Sequence, residues 1–226
     1  MIISDIDFAE MYRRHMARSG RQAKSASEWD ARAKNLSNKV MDSGYTHEFV
    51  RRMDLSDARS LLDIGCGPGT IALAVAAQLD HVVGLDYSPV MLECMRDNAA
   101  ERGLSNVQTC LRAWEDDWDD VPVCDIVVAS RSSMVPDMAQ ALAKMTAHAR
   151  VRCYMTHLVG GHFGDAHVAR EPGRQQRAIP DYIYIVNILF SMGLHPRVDY
   201  IEMPGRLTDT GGEPMRWAFI SWGVSG

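Results

Sequence analysis

The chain has 226 residues, of which 46% are hydrophobic and 23% are charged, a composition typical of one globular domain. Its formal net charge of −5 at pH 7 disfavours a nucleic-acid partner, which requires a basic surface. The first residues mix acids and bases, and no uncharged apolar run approaches the roughly 20 residues of a membrane span. We therefore expect a cytoplasmic protein with no membrane contact, whose five scattered cysteines stay reduced.

The first 55 residues predict three helices. Apolar residues in the segment 8–15 recur at helical spacing and predict the first. Ser25 or Ser27 is the predicted cap of the second, with Glu28 in its opening turn. Thr46 is the predicted cap of the third.

Short apolar runs alternate with helical segments from about residue 60 onwards. This alternation predicts an α/β fold with a mostly parallel sheet covered by helices on both faces. The last two strands are close enough in sequence to pair antiparallel. Strands are predicted at 59–65, 81–87, 106–111, 123–130, 151–158, 197–203 and 215–224, and helices at 70–79, 88–103, 138–149 and 180–193.

Three glycines alternate in the segment LLDIGCGPGT, directly after the first of these strands. Glycine lets a ligand approach the backbone, and we expect the helix start behind the loop to supply free N–H groups. The segment lacks the lysine of a P-loop, and its third glycine falls one place early for the dinucleotide fingerprint. Asp63, just before the loop, favours a cation over a pyrophosphate. A tight turn that binds no ligand is the alternative.

Asp86 ends the second strand of the alternating region, in the segment GLDYS. An acid at this position reaches ribose hydroxyls in nucleotide-binding folds. The alternative is a cap for the following helix, although Ser88 is equally placed to cap it.

Three segments, Leu61–Thr70, Val82–Met91 and Cys124–Ser130, together resemble class I S-adenosylmethionine-dependent methyltransferases. The match is strongest over about residues 60–130. The resemblance implies a Rossmann-like, doubly wound sheet of seven strands with an antiparallel C-terminal strand and an N-terminal helical cap. It implies one methyltransferase domain over 1–226, with a cap over 1–55 and a core over 56–226. It also implies S-adenosylmethionine as the cofactor.

The resemblance assigns the methionine and ribose parts of the cofactor to the first two strands. Asp63 would face the amino end, and Asp86 would hold both ribose hydroxyls. The glycine loop would contribute its backbone through Gly65, Cys66, Gly67 and Gly69.

The adenine end of the cofactor falls to residues after the second and third strands of the alternating region. Tyr87 and Met91 would cover the ring. The family often has an acid after the third strand, where this chain has Ala113. Adenine would then be read by backbone and by stacking on Trp114, or by a shifted Glu115.

The remaining site candidates lie near the reacting methyl group. Ser130 and Arg131 would lie beneath it, with Arg131 in a catalytic role. Trp29 either covers the cofactor or docks its helix on the sheet. His157 is a candidate general base. No metal is predicted, because the intervals between His157, His162 and His167 are not a usual ligand spacing.

The acceptor has no motif of its own. The segment 161–180 has the length and position of a substrate lid, and Arg170, Arg174 and Arg177 in it would meet an anion or solvent. The favoured hypothesis is methyl transfer to a small molecule by in-line displacement. An RNA or protein methyltransferase and a non-catalytic cofactor-binding protein are the alternatives. The oligomeric state is not predicted.

Overall fold

The structure, a computed structural model, describes residues 2–40, 43–161, 178–203 and 215–224, with backbone alone for 34–40 and 161. Its α-helices are α1 (Phe8–Ser19), α2 (Ala26–Val40), α3 (Gly44–Arg51), α4 (Ala72–Val75), α5 (Pro89–Glu101), α6 (Met138–Ala147) and α7 (Tyr182–Ser191). Its strands are β1 (Ser60–Ile64), β2 (His81–Asp86), β3 (Val107–Leu111), β4 (Cys124–Ala129), β5 (Ala149–Leu158), β6 (Arg197–Met203) and β7 (Met215–Gly223). None of the helices in these ranges has the length and apolar character needed to cross a membrane.

The strands in the described part of the chain form one seven-stranded sheet in the order β3-β2-β1-β4-β5-β7-β6. Strands β1 to β5 pair in parallel, and β7 runs antiparallel to both β5 and β6. The strand order reverses between β1 and β4, so the loops after these strands open side by side at one edge. The predicted Rossmann-like α/β class, with its antiparallel C-terminal strand, is confirmed.

Side chains alternate between the two faces of the sheet because successive residues of a strand point in opposite directions. In β1, Leu62 and Ile64 join a core formed with α1, α6 and α7. Leu61 joins the opposite core, formed with α3, α4 and α5. Asp63 therefore lies on the α4 side.

Each of the three N-terminal helices, or the residues directly before it, makes a contact at the carboxyl edge of the sheet. The Tyr12 hydroxyl of α1 donates to the carbonyl of Val135 after β4, at 2.9 Å. The Tyr87 hydroxyl after β2 donates to the carbonyl of Lys24, just before α2, at 2.8 Å. Tyr45 of α3 bonds to side chains at the ends of β4 and β5. These contacts bring residues of the N-terminal segment to the edge where ligands of such sheets bind. The division of a single domain into 1–55 and 56–226 stays a prediction.

Two predicted helix details are wrong. The helix expected over 70–79 is one short α-helical turn followed by a 3-10 turn at Ala76–Gln78. Asn106 ends it, because its side-chain amide donates to the carbonyls of Ala76 and Leu79 at 2.8 and 2.7 Å. The cap of α3 is Ser43 rather than Thr46. At α2 the predicted start holds, since Ser25 and Glu28 exchange the hydrogen bonds of a capping box.

Candidate active site

The glycine loop after β1 lies directly against the loop after β4. Gly65 has a φ of 65°, and a Cβ built on it would lie 2.4 Å from the Cβ of Ser132. The Ser132 hydroxyl donates to the carbonyl of Ile64 at 2.6 Å, which holds the two loops together. Gly65 is therefore required by both its conformation and this close approach.

The backbone N–H groups of the glycine loop itself are paired within the protein. Gly65 and Cys66 both donate to the carbonyl of Leu85, at 2.7 and 3.1 Å. Gly67 donates to a carboxylate oxygen of Asp86 at 2.9 Å, and Gly69 donates to the carbonyl of Cys66 at 3.0 Å. The loop thus turns its donors inward. This suits a ligand rich in donors and positive charge better than a pyrophosphate, which needs donors.

Two of the predicted loop residues have mainly packing roles. The Cys66 side chain is buried in the core on the α4 side, where burial raises the pKa of its thiol. A Cβ on Gly69 would lie 2.7 Å from Leu73 and 2.9 Å from Met95. A Cβ on Gly84 of β2 would meet the sulfur of Met95 at 2.2 Å. The tight fit of α5 against these strands explains Gly69 and Gly84 without a ligand.

Asp63 is 1% exposed, and its carboxylate accepts from the backbone N–H of Ala72 at 3.1 Å. Burial raises the pKa of Asp63 to about 7, and the charge of nearby Asp86 acts in the same direction. Neither aspartate forms an ion pair with another described residue. Two buried carboxylates without a cation make a site that favours a positively charged ligand.

Replacing Asp63 with asparagine is expected to stabilise the ligand-free protein at neutral and alkaline pH. The folded pKa, about 7, lies above the ordinary aspartate value of 3.8. The folded protein therefore holds a proton that the unfolded chain releases. The stability that this proton provides is present at low pH and is lost as pH rises through 7, by up to about 1.4 kcal/mol per pH unit.

The measurement is urea unfolding of wild type and Asp63→Asn between pH 5 and 8. The difference in the free energy of unfolding should grow with pH and level off above about 7 to 8. Parallel pH profiles for the two proteins would contradict the raised pKa.

Asp86, 6% exposed, divides its two carboxylate oxygens between the glycine loop and the start of α5. One oxygen accepts from Gly67 N–H and the other from Ser88 N–H, both at 2.9 Å. Ser88 itself caps α5, because its hydroxyl accepts from the N–H of Met91 at 3.1 Å. Asp86 is thus not needed as the cap, and each of its oxygens keeps a further lone pair for a ligand.

Helix α2 reaches the same corner. The Ser88 hydroxyl donates to the carboxylate of Asp30 at 2.6 Å. Tyr87 interacts with the side chain of Trp29, and its own pKa is raised by burial. The Lys24 ammonium lies over the Trp29 ring, 5.0 Å from its centroid. These contacts place Trp29 beside Tyr87, in accord with either of its two interpretations.

On the adenine side, the hydrogen-bond donors of Ala113 and Trp114 after β3 already have partners within the protein. The N–H of Ala113 donates to the carboxylate of Asp116 at 2.7 Å. Trp114 donates from its indole nitrogen to the carbonyl of Ser132 at 3.0 Å and stacks on Trp118 at 5.5 Å. The Ala113 amide is therefore not free to read adenine. Exposed Glu115 lies close enough to Tyr87 for its charge to raise the pKa of that hydroxyl. Met91, by contrast, is buried.

A network of hydroxyls joins α3 to the ends of β4 and β5, and the sequence did not predict it. The hydroxyl of buried Tyr45 bonds to those of Ser130 at 2.9 Å and Thr156 at 2.7 Å. The backbone N–H of Arg131 donates to the Thr156 hydroxyl at 3.0 Å. Tyr45 and Thr156 thus hold Ser130 and Arg131 in place at the carboxyl edge.

His157 is not presented to a substrate. It is 2% exposed, and burial lowers the pKa of its imidazole. Its Nε2 donates to the carbonyl of Pro180 at 2.8 Å, which leaves Nδ1 as an acceptor facing the Ser133 hydroxyl at 2.8 Å. Both ring nitrogens are used internally, so this geometry argues against the general-base role expected of His157. Its contacts instead join β5 to the chain before α7.

Some predicted features lie outside the described residues. These are His162, His167 and the lid arginines Arg170, Arg174 and Arg177. Among the described residues, no group of three or more histidines, cysteines, aspartates and glutamates is arranged to hold a metal ion.

The fold and the paired carboxylates define the class of protein. The strand order, the carboxylates at the ends of β1 and β2 and the inward-turned donors fit a cationic nucleoside cofactor. Residues 55–168 match the family described as "Methyltransferase domain". The chain belongs to this family of S-adenosylmethionine-dependent methyltransferases, and S-adenosylmethionine is its cofactor.

Individual proteins are similar to this chain to different extents. A protein of Haemophilus influenzae described only as uncharacterized is 36% identical over 204 residues, which cover 89% of this chain and 76% of that protein. Trans-aconitate 2-methyltransferase of Rhodococcus jostii is 27% identical over 120 residues, or 52% of this chain and 44% of that enzyme. The structure of coclaurine N-methyltransferase with N-methylheliamine and SAH shares the fold, with a TM-score of 0.59, 13% identity and coverage of 98% of this chain and 96% of that one.

Proposed function

We propose that this enzyme methylates a small-molecule acceptor at the carboxyl edge of the sheet. The observation that carries the proposal is the set of contacts that α2 and α3 make at that edge. Helix α3 bonds to the ends of β4 and β5 through Tyr45, and α2 bonds to the β2–α5 junction through Asp30. A site covered by helices suits a small acceptor better than a polymer. The similarity to trans-aconitate 2-methyltransferase supports the same class.

The chain's own residues hold the cofactor in this proposal. Asp63 faces its amino group, Asp86 accepts from its ribose hydroxyls, and Gly65 and Gly67 let it approach the loop backbone. Tyr87 borders the adenine, with Glu115 in place of Ala113 as the polar partner. When bound, S-adenosylmethionine would supply an electrophilic sulfonium methyl group for in-line displacement by the acceptor, with its sulfur as the leaving group.

Residues at the ends of β4 and β5 align the acceptor. Ser130 and Arg131 follow β4 at the edge beside the glycine loop. Holding the acceptor in line with the methyl group supplies much of the rate in a displacement of this kind. Within the described residues, the Tyr45–Thr156 network fixes this segment, and His157 has a positioning role behind it.

The test is a labelling experiment that separates acceptor classes. Purified enzyme is incubated with S-adenosylmethionine labelled in the methyl group and, separately, with the small-molecule, RNA and protein fractions of a cell extract. We expect label in the small-molecule fraction only. Label in RNA or protein would overturn the proposed acceptor class, and a boiled-enzyme sample controls for chemical methylation.

A further inference from the structure

Arg131 occupies the point where the acceptor would meet the cofactor. It stands between Ser130, which follows β4 and bonds to the Tyr45 hydroxyl, and Ser132, which touches the glycine loop. Its side chain belongs to an exposed residue. A cation is thus placed at the mouth of the site, one residue away from each of these two contacts.

The backbone of Arg131 is held in an unfavourable conformation. Its φ is 56°, in the left-handed region that residues other than glycine seldom adopt. The hydrogen bond from its N–H to Thr156 keeps it there. Strained residues of this kind occur preferentially at ligand-binding and catalytic positions. Here the backbone conformation sets the direction of the Arg131 side chain at the carboxyl edge of the sheet.

The guanidinium of Arg131 has an aromatic partner but no acidic one. It lies 4.1 Å from the centroid of the Tyr45 ring. It forms no ion pair with any described residue, whereas Arg52 and Arg152 pair with Asp199 and Asp54. A guanidinium whose face rests on a ring keeps its N–H edge available for a planar anion.

We propose that Arg131, supported by Tyr45, binds a carboxylate of the methyl acceptor, so that the substrate is an anionic small molecule. This assignment rests on the proposed function and narrows its acceptor class. A carboxylate matches the two-pronged donor geometry of the guanidinium. The acceptor is then oriented by charge at the mouth of the site, with the hydroxyls of Ser130 and Tyr45 beside it.

The test measures binding in the absence of turnover. The protein is saturated with S-adenosylhomocysteine and titrated in a calorimeter with trans-aconitate, with its neutral trimethyl ester and with inorganic phosphate. The variants are Arg131→Gln and Arg131→Lys. Arg96→Gln is the matched control, because Arg96 lies on α5 and bonds to Thr109 of β3. Thermal unfolding of each variant checks that it is folded.

We expect wild type to bind trans-aconitate and to bind the ester and phosphate at least tenfold more weakly. Arg131→Gln should weaken trans-aconitate binding at least tenfold, Arg131→Lys less, and Arg96→Gln should leave it unchanged. Any of four results would overturn the proposal. Wild type could bind acid and ester equally, bind phosphate more tightly, or fail to bind trans-aconitate. The fourth such result is an Arg131→Gln variant with unchanged affinity. An equal loss of S-adenosylhomocysteine affinity in Arg131→Gln would overturn it as well, because it would assign the arginine to the cofactor. Failure of wild type to bind S-adenosylhomocysteine would instead refute the proposed function itself.

Discussion

Replacing Asp86 with alanine is expected to weaken S-adenosylmethionine binding by about 10–100-fold, which is about 1.4–2.8 kcal/mol. The carboxylate lies at the end of β2, with each oxygen holding one backbone N–H and keeping a lone pair for a ribose hydroxyl. Hydrogen bonds to a charged acceptor are stronger than neutral ones. Titration calorimetry of the wild type and the variant gives the two dissociation constants.

The matched control is Asp80→Ala, because Asp80 is an exposed aspartate just before the other end of the same strand. Asp86→Asn keeps one acceptor oxygen and should lose less affinity than Asp86→Ala. Thermal unfolding without ligand separates lost cofactor contacts from lost support of Gly67 and Ser88. Unchanged affinity in a folded Asp86→Ala would remove the ribose assignment.

Replacing Gly65 with alanine is expected to destabilise the protein by about 2–4 kcal/mol and to weaken cofactor binding with it. The positive φ costs about 1 kcal/mol for a residue with a Cβ, and overpacking costs about 1–3 kcal/mol. The added Cβ would lie 2.4 Å from that of Ser132, so the loops after β1 and β4 would have to separate. Urea unfolding and calorimetry measure the two effects.

Gly103 supplies the control for Gly65, since its φ is 68° and a Cβ there would meet nothing within 4 Å. Gly103→Ala should therefore show the backbone cost without the collision. Removing the opposing Cβ in Gly65→Ala/Ser132→Gly should restore part of the lost stability. Equal destabilisation by the alanines at 65 and 103 would show that the loop contact is not tight.

Much of the fold could be predicted because its signals are local. Short, mainly apolar runs bounded by turns are visible in the sequence, and the predicted run 197–203 coincides with β6. The prediction of a helix over 70–79 was wrong for a non-local reason. Its alanines and leucines favour helix, but buried packing and the amide of Asn106, 27 residues beyond Leu79, end it early.

The candidate site likewise contains residues that the sequence could indicate and contacts that only the fold creates. Asp63 and Asp86 could be singled out because each lies near the end of a predicted strand, and Asp63 directly precedes the glycine loop. The Tyr45–Thr156 hydrogen bond joins residues 111 positions apart, and no spacing in the sequence predicts it. The partners of His157 were out of reach of the sequence for a related reason, since the carbonyl of Pro180 and the hydroxyl of Ser133 meet its ring nitrogens only in the folded chain.

The most direct test of the account is calorimetric titration of the purified protein with S-adenosylmethionine and, separately, with NADH. The N–H groups of the glycine loop are paired internally, and Asp63 and Asp86 lack a cation in the described structure. We therefore expect micromolar binding of S-adenosylmethionine and none of NADH, whose pyrophosphate would find acceptors where it needs donors. Binding of NADH alone, or of neither compound, would contradict the cofactor site described here.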